Sequence, residues 1–96
     1  QVGRRTYTVN DNGVALDQDM TGIGILDASA GSFRLVLPRS PVETGHFVFK
    51  KIDATSNVVI IDGNGRPIEG NPTATLSAPF ESLSLRYIGG QYLILP

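Results

Sequence analysis

The sequence predicts an all-β domain, specifically a small antiparallel β-sandwich or a jelly-roll-like module. Turn-forming glycine, proline, asparagine and aspartate residues interrupt the chain at short intervals, as at residues 10–13 and 62–65. The runs between them are rich in β-branched, leucine and aromatic residues, and none shows the period of an amphipathic helix. Short strands with frequent turns are typical of an antiparallel sandwich or barrel.

Eight strands are expected, at residues 5–9, 24–27, 33–37, 46–52, 58–62, 74–76, 82–88 and 91–95. Within 82–88, leucine or tyrosine alternates with serine or arginine, which is the pattern of a strand with one buried and one exposed face. Gly89-Gly90 follows directly and should close a tight hairpin, because two glycines accept the positive φ angles that such turns need.

A short motif occurs twice in the chain. Asp27-Ala28-Ser29 and Asp53-Ala54-Thr55 each follow a β-rich run and precede another one. Asp, Ser and Thr side chains bond to nearby backbone amides and therefore favour turns over continued strand. We interpret the two copies as the turns of repeated hairpin-like units.

Length, charge and composition exclude several classes of protein. With 96 residues the chain is expected to be a single β-rich module, residues 1–96. Because it starts at Gln1 rather than Met, we expect a signal peptide or an upstream region to be missing, so that the chain is a piece of a longer one. A net charge of −1 provides no basic field for nucleic acid. The chain has no cysteine for a disulfide or thiolate metal site, and its apolar runs are too short for membrane insertion.

Two runs, 58–61 and 92–95, are apolar without alternation, so both faces of these strands should be buried. Either the domain covers both faces itself or a partner subunit covers one of them. The residues that would form such a subunit interface are Val58, Val59, Ile60, Ile61, Leu93 and Leu95.

From residue 27 to residue 94 the chain resembles the C-terminal modules of bacteriophage tail-fibre and related virion attachment proteins. The motifs are Lys50-Lys51-Ile52-Asp53-Ala54-Thr55, a valine and isoleucine strand, a glycine-rich turn, Ile68-Glu69-Gly70, Leu76, Phe80-Glu81-Ser82 and Gly89-Gly90-Gln91-Tyr92. The sequence departs from the family at Tyr92, where those modules usually carry tryptophan. The motifs are short and consist of common β-strand residues.

This resemblance implies an intertwined homotrimer that serves as a non-catalytic structural and host-attachment element of a virion. It favours the subunit interface over self-burial for the two apolar runs. The implied partners are a host cell-surface glycan or protein receptor and other virion tail proteins, and the implied location is extracellular, on the virion.

Catalytic and metal chemistry find little support in the residue types. His46 is the single histidine, so a histidine-rich metal cluster is excluded and a Ser/His/Asp triad would require a fortuitous tertiary arrangement. Residues 17–22 resemble half of a calcium loop, but Ala28 occupies the position that needs a bidentate glutamate. We expect no cofactor and no metal. A hydrolase domain is the second alternative, and it would need a preorganised acid, base or nucleophile around His46 or paired carboxylates.

A ligand site is the remaining candidate. Arg86, Tyr87 and Tyr92 lie close together if the terminal hairpin forms, and saccharides are held by aromatic faces and planar polar groups. The alternative is that both tyrosines belong to the core. The loops at 11–19, 39–45 and 64–71 could also carry receptor contacts. A carbohydrate-binding module of a larger secreted protein is therefore the alternative function.

Overall fold

A computed structural model describes residues 2–16, 21–38 and 45–95, with no account of the side chains of residues 2–4, 21 and 22. The described residues form nine strands and one 3-10 helix. The strands are β1 (Val2–Tyr7), β2 (Val14–Ala15), β3 (Thr21–Leu26), β4 (Phe33–Val36), β5 (His46–Lys51), β6 (Val59–Asp62), β7 (Thr73–Leu76), β8 (Ser82–Ile88) and β9 (Gln91–Ile94). The 3-10 helix is Val9–Asp11.

The strands form two mixed sheets, which confirms the all-β class. The larger sheet has the strand order β1-β3-β5-β8-β9, and the smaller sheet has the order β2-β4-β6-β7. From β1 to β6 the chain alternates between the two sheets, so consecutive strands do not pair. The neighbours within each sheet are therefore parallel up to β5 and β6, and only the pairs that involve β7, β8 or β9 are antiparallel.

The prediction of a purely antiparallel arrangement was wrong for this reason. A hairpin turn would place the next strand antiparallel and directly beside the strand before the turn. The turns after β3 and β5 instead lead into the other sheet. The two copies of the Asp-Ala-Ser/Thr motif lie in these two turns and stack on one another. The motif therefore marks a structural repeat in which β3, its turn and β4 lie parallel to β5, its turn and β6. Leu26 is paired with Lys51, and Phe33 with Val59.

The two sheets contribute to one hydrophobic core. The larger sheet contributes Tyr7, Leu26, Phe47, Phe49, Leu85, Tyr87 and Tyr92, and the smaller sheet contributes Phe33, Leu35, Val59, Ile61 and Leu76. Gly24 permits a close approach of β3 to β5, because an added Cβ would lie 2.8 Å from the Phe49 ring. Larger residues at this position would displace that ring.

The expected strand positions agree with the structure to within a few residues. The alternation in β8 is confirmed, since Leu85 and Tyr87 are buried while Ser84 and Arg86 are half-buried. The terminal hairpin is also confirmed, with φ angles of 64° at Gly89 and 84° at Gly90. The two-residue strand β2 and the 3-10 helix were not predicted, because neither has a hydrophobic period long enough to detect.

Candidate functional site

A buried ion pair lies at the end of β5. The Nζ atom of Lys51 is 2.9 Å from Oδ2 of Asp53, and the exposed fractions of the two side chains are 0% and 6%. Lys51 Nζ also donates a hydrogen bond of 2.8 Å to the carbonyl oxygen of Thr55. A charged lysine is tolerated in the core only because these oxygen atoms surround it.

The Asp53 carboxylate also connects the two stacked turns. It accepts hydrogen bonds from the backbone N–H of Ala28 at 2.9 Å and of Thr55 at 3.1 Å, and from the Thr55 hydroxyl. The Asn57 side chain donates to the carbonyl oxygen of the same Ala28 at 2.7 Å. Burial raises the pKa of Asp53, but the hydrogen bonds from Thr55, Lys51 and Ala28 outweigh it and hold the pKa well below its usual range.

These contacts explain the motif chemically. Lys51, Asp53 and Thr55 are ordinary strand and turn residues in sequence, yet together they form an ion-paired, hydrogen-bonded clamp between successive turns. A carboxylate held ionised by this many donors is a poor general base or acid. The clamp therefore stabilises the fold, and sequence reasoning missed it because it interpreted the aspartate only as a local turn former.

Tyr87 and Tyr92 lie in the core. Their exposed fractions are 7% and 0%, and their ring centroids are 5.1 Å apart. The Tyr92 hydroxyl donates a hydrogen bond of 2.6 Å to the carbonyl oxygen of Pro38, and burial raises the pKa of this hydroxyl. Within the single chain neither ring presents an open face to a saccharide, although Arg86, on the same strand as Tyr87, points outward.

The residues expected at a subunit interface divide into two groups. Val59 and Ile61 are fully buried in the core of the chain itself. The other four are half-buried and lie away from the core. Val58 directly precedes β6 of the smaller sheet and Ile60 lies within it, while Leu93 lies within β9 of the larger sheet and Leu95 directly follows it. Only this second group has surface to offer a partner.

The face of the larger sheet that points away from the core, here called the outer face, carries both polar and apolar side chains. His46 and Lys50 flank Val48 on β5, and Ile23 and Ile25 lie on the adjacent β3. His46 Nε2 and Ser84 Oγ are 2.8 Å apart, on the paired strands β5 and β8. Arg86 is the direct neighbour of His46, and Lys50 is the neighbour of Ser82. None of the described side chains on this face is an aspartate or glutamate.

His46 and Ser84 have the residue types of two members of a nucleophilic triad, but their strand positions do not provide an oxyanion-binding site. Both residues lie within strands whose backbone amides are engaged in the β-ladder, so among the described residues no pair of free N–H groups converges beside Ser84 to bind an oxyanion. The pair is instead a cross-strand hydrogen bond on an open sheet face.

The loops give a mixed result. Residues 17–20 and 39–44, which include most of the acidic turn and one expected receptor loop, lie outside the described residues. The third loop forms a shallow pocket of about 260 Å³, lined by Asp62, Gly65, Arg66, Pro67, Gly70, Asn71 and Pro72. Among the described residues, no group of three or more His, Cys, Asp or Glu side chains is arranged to hold a metal ion.

Comparison with known proteins leaves the family open. No protein-family model matches the chain, and no curated protein matches its sequence. In the described part of the chain, no helix has the length and apolar character needed to cross a membrane.

Proposed function

We propose that this chain is a structural and host-attachment module of a phage tail fibre or another virion appendage, and that it has no catalytic role. The order of short motifs from residue 27 to residue 94 supports the proposal. So does the way these motifs are used: the Lys-Lys-x-Asp-Ala-Thr segment clamps successive turns, and Glu81 of the Phe-Glu-Ser segment accepts hydrogen bonds from the backbone of Ser77 and Ala78. Rigid turns suit a load-bearing β-structure.

The module is proposed to be a β-sandwich that assembles as a homotrimer. Two sheets with one shared core support the sandwich description over a jelly roll, because six strands alternate between the sheets in parallel. The observation that carries the assembly is the half-buried apolar surface at Val58 and Ile60 on one sheet and at Leu93 and Leu95 on the other. Contact between these unlike surfaces is heterologous, and such contacts form closed rings when the rotation closes.

Light scattering after size exclusion tests this assembly. We expect about three chains per particle at micromolar concentration. Leu93→Arg should dissociate the particle, because the arginine would place a charge in an apolar contact. Ser29→Arg, on an exposed turn, is the matched control and should leave the mass unchanged.

A wild-type monomer would remove the main support for the fibre proposal. It would favour the carbohydrate-binding module, which works as a monomer.

The non-catalytic proposal has its own test. His46→Ala is expected to leave hydrolysis of polysaccharide and ester substrates at the background level of the wild type, because His46 and Ser84 lack an oxyanion site. Initial-rate assays with both proteins check this. A wild-type rate above background that collapses in the variant would assign catalysis to the pair.

A further inference from the structure

The chain contains two Asn-Gly sequences, Asn12-Gly13 and Asn64-Gly65. This dipeptide is chemically labile, because glycine has no side chain to hinder attack by its backbone nitrogen on the side-chain amide of the preceding asparagine. The attack needs a backbone N–H that is not hydrogen-bonded and a backbone that can rotate towards the side chain. The folded protein treats the two sequences differently in both respects.

Asn12-Gly13 is held against β4. The backbone N–H of Gly13 donates a hydrogen bond of 2.7 Å to the carbonyl oxygen of Arg34. The side-chain oxygen of Asn12 accepts one of 3.0 Å from the backbone N–H of the same Arg34. Both the attacking nitrogen and the amide under attack are therefore engaged, and their reaction requires this turn to separate from the smaller sheet.

Asn64-Gly65 forms the centre of a tight turn after β6. The backbone N–H of Arg66 donates a hydrogen bond of 3.0 Å to the carbonyl oxygen of Gly63, and the φ angles of 55° at Asn64 and 89° at Gly65 match a type I′ turn. Gly65 is exposed and Asn64 is half-buried. In the part of the chain that the structure describes, neither the Gly65 N–H nor the Asn64 side chain makes a hydrogen bond.

This turn can reach the reactive geometry without unfolding. Types I′ and II′ both have a positive φ angle at residue 64, and they differ by a rotation of the peptide plane between residues 64 and 65. Glycine at position 65 accepts either sign of φ. In the II′ form the ψ angle of residue 64 is about −120°, which turns the Gly65 nitrogen towards the side chain of Asn64. The hydrogen bond that closes the turn is kept.

Asn12 starts from a different position. Its φ angle is −56° and its ψ angle is 124°, so a rotation towards the reactive geometry also carries the Gly13 N–H away from Arg34. The cost is that of a local opening of the sheet edge, whereas the Asn64 turn needs only its own peptide rotation.

We propose that Asn64 is a site of spontaneous deamidation in the folded protein and that the fold protects Asn12. The Gly65 backbone nitrogen loses its proton to solvent base and bonds to Cγ of Asn64, and the side-chain nitrogen leaves as ammonia. Water then opens the resulting cyclic imide. Opening at the side-chain carbonyl gives aspartate, and opening at the main-chain carbonyl gives isoaspartate.

The reaction changes a loop that the sequence analysis considered for receptor contacts. Asp62, whose carboxylate accepts a hydrogen bond of 2.8 Å from the Asn64 backbone N–H, is paired with Arg34 at 2.6 Å. Deamidation places a second carboxylate beside this ion pair, and isoaspartate also lengthens the main chain of a tight turn. The inference goes beyond the attachment function and does not depend on it.

Peptide mapping by mass spectrometry tests the proposal. The wild type is incubated at mildly alkaline pH below its unfolding temperature, and the conversion of the two asparagines is followed with time. We expect Asn64 to convert about tenfold faster than Asn12 or more, because only Asn12 requires local opening. In urea, where the fold is lost, the two Asn-Gly sequences should convert at similar rates.

Asn64→Gly is the matched control variant. Glycine accepts the positive φ angle and has no amide, so the thermal midpoint should be retained while conversion at this position disappears. Asn12 should convert as slowly in the variant as in the wild type. The proposal is overturned if Asn12 converts as fast as Asn64 in the folded protein, or if Asn64 converts only in urea.

Discussion

Replacing Asp53 with alanine is expected to destabilise the fold by about 3–5 kcal/mol, the usual cost of removing one partner from a buried ion pair. Lys51, fully buried, would be left without its counter-ion, and the backbone N–H of Ala28 would lose its acceptor. Urea unfolding at a fixed protein concentration measures the change, because association also contributes to apparent stability.

The repeat supplies a matched control for this experiment. Asp27 occupies the same place in the preceding copy of the motif, but it is half-buried and bonds within its own turn, to the side chain of Ser29 and to the N–H of Ser29 at 3.0 Å. Asp27→Ala should therefore cost much less than Asp53→Ala. Equal losses for the two variants would show that Asp53 acts only as a turn former.

The loss caused by Asp53→Ala should also depend on pH. The pKa of Asp53 is lower in the folded chain than its unfolded value of about 3.9, because its hydrogen bonds outweigh the cost of burial. Its contribution to stability is therefore complete above that value and is lost as the pH falls below it. The difference in unfolding free energy between wild type and variant should be full at pH 7 and smaller at about pH 3.

Tyr92→Ala is expected to destabilise the protein by about 3–5 kcal/mol, as other large-to-small aromatic changes in cores do. The ring is fully buried, packs edge-to-face against Phe47 at 5.9 Å and lies against Tyr87. Its hydroxyl satisfies the buried carbonyl oxygen of Pro38. Thermal and urea unfolding should report the loss, together with any loss of assembly.

Two further variants at this position separate the ring from its hydroxyl. Tyr92→Phe keeps the ring and should cost about 1–3 kcal/mol, because the Pro38 carbonyl loses its donor. Tyr92→Trp places the aromatic residue that the tail-fibre modules usually have and should be tolerated better than alanine. An alanine variant as stable as the wild type would contradict the anchor interpretation, and it would favour a ligand platform if sugar binding alone were lost.

Local patterns predicted the strands well, because each depends on neighbours in sequence. The alternation in β8 and the glycine pair before β9 require no knowledge of the rest of the fold. The pairing of the strands is different. The strand after β3 could pair with β3 or lie in the other sheet. Which of these occurs depends on where its apolar side chains can be buried, and that is a property of the whole core.

The candidate site shows the same division at the level of single residues. Arg86 was named as a ligand residue because the terminal hairpin brings it near Tyr87 and Tyr92, and the structure places it on the face of β8 opposite to the buried Tyr87. The contact of Lys50 Nζ with the Phe80 carbonyl oxygen arises because β8 pairs with β5, two strands separated by thirty residues of chain. No local pattern in the sequence signals that contact.

The sequence by itself determined that this protein is all-β, where eight of its strands lie, and that one face of β8 is buried, because hydrophobic period and turn chemistry act over a few residues. Only the tertiary structure decided that β1 to β6 alternate between two sheets and pair in parallel within each, that Lys51 is paired inside the core, and that Tyr87 and Tyr92 are buried while Phe80 is exposed. The physical reason is that burial and ion pairing are set by residues distant in sequence, which meet only when both sheets close over one core.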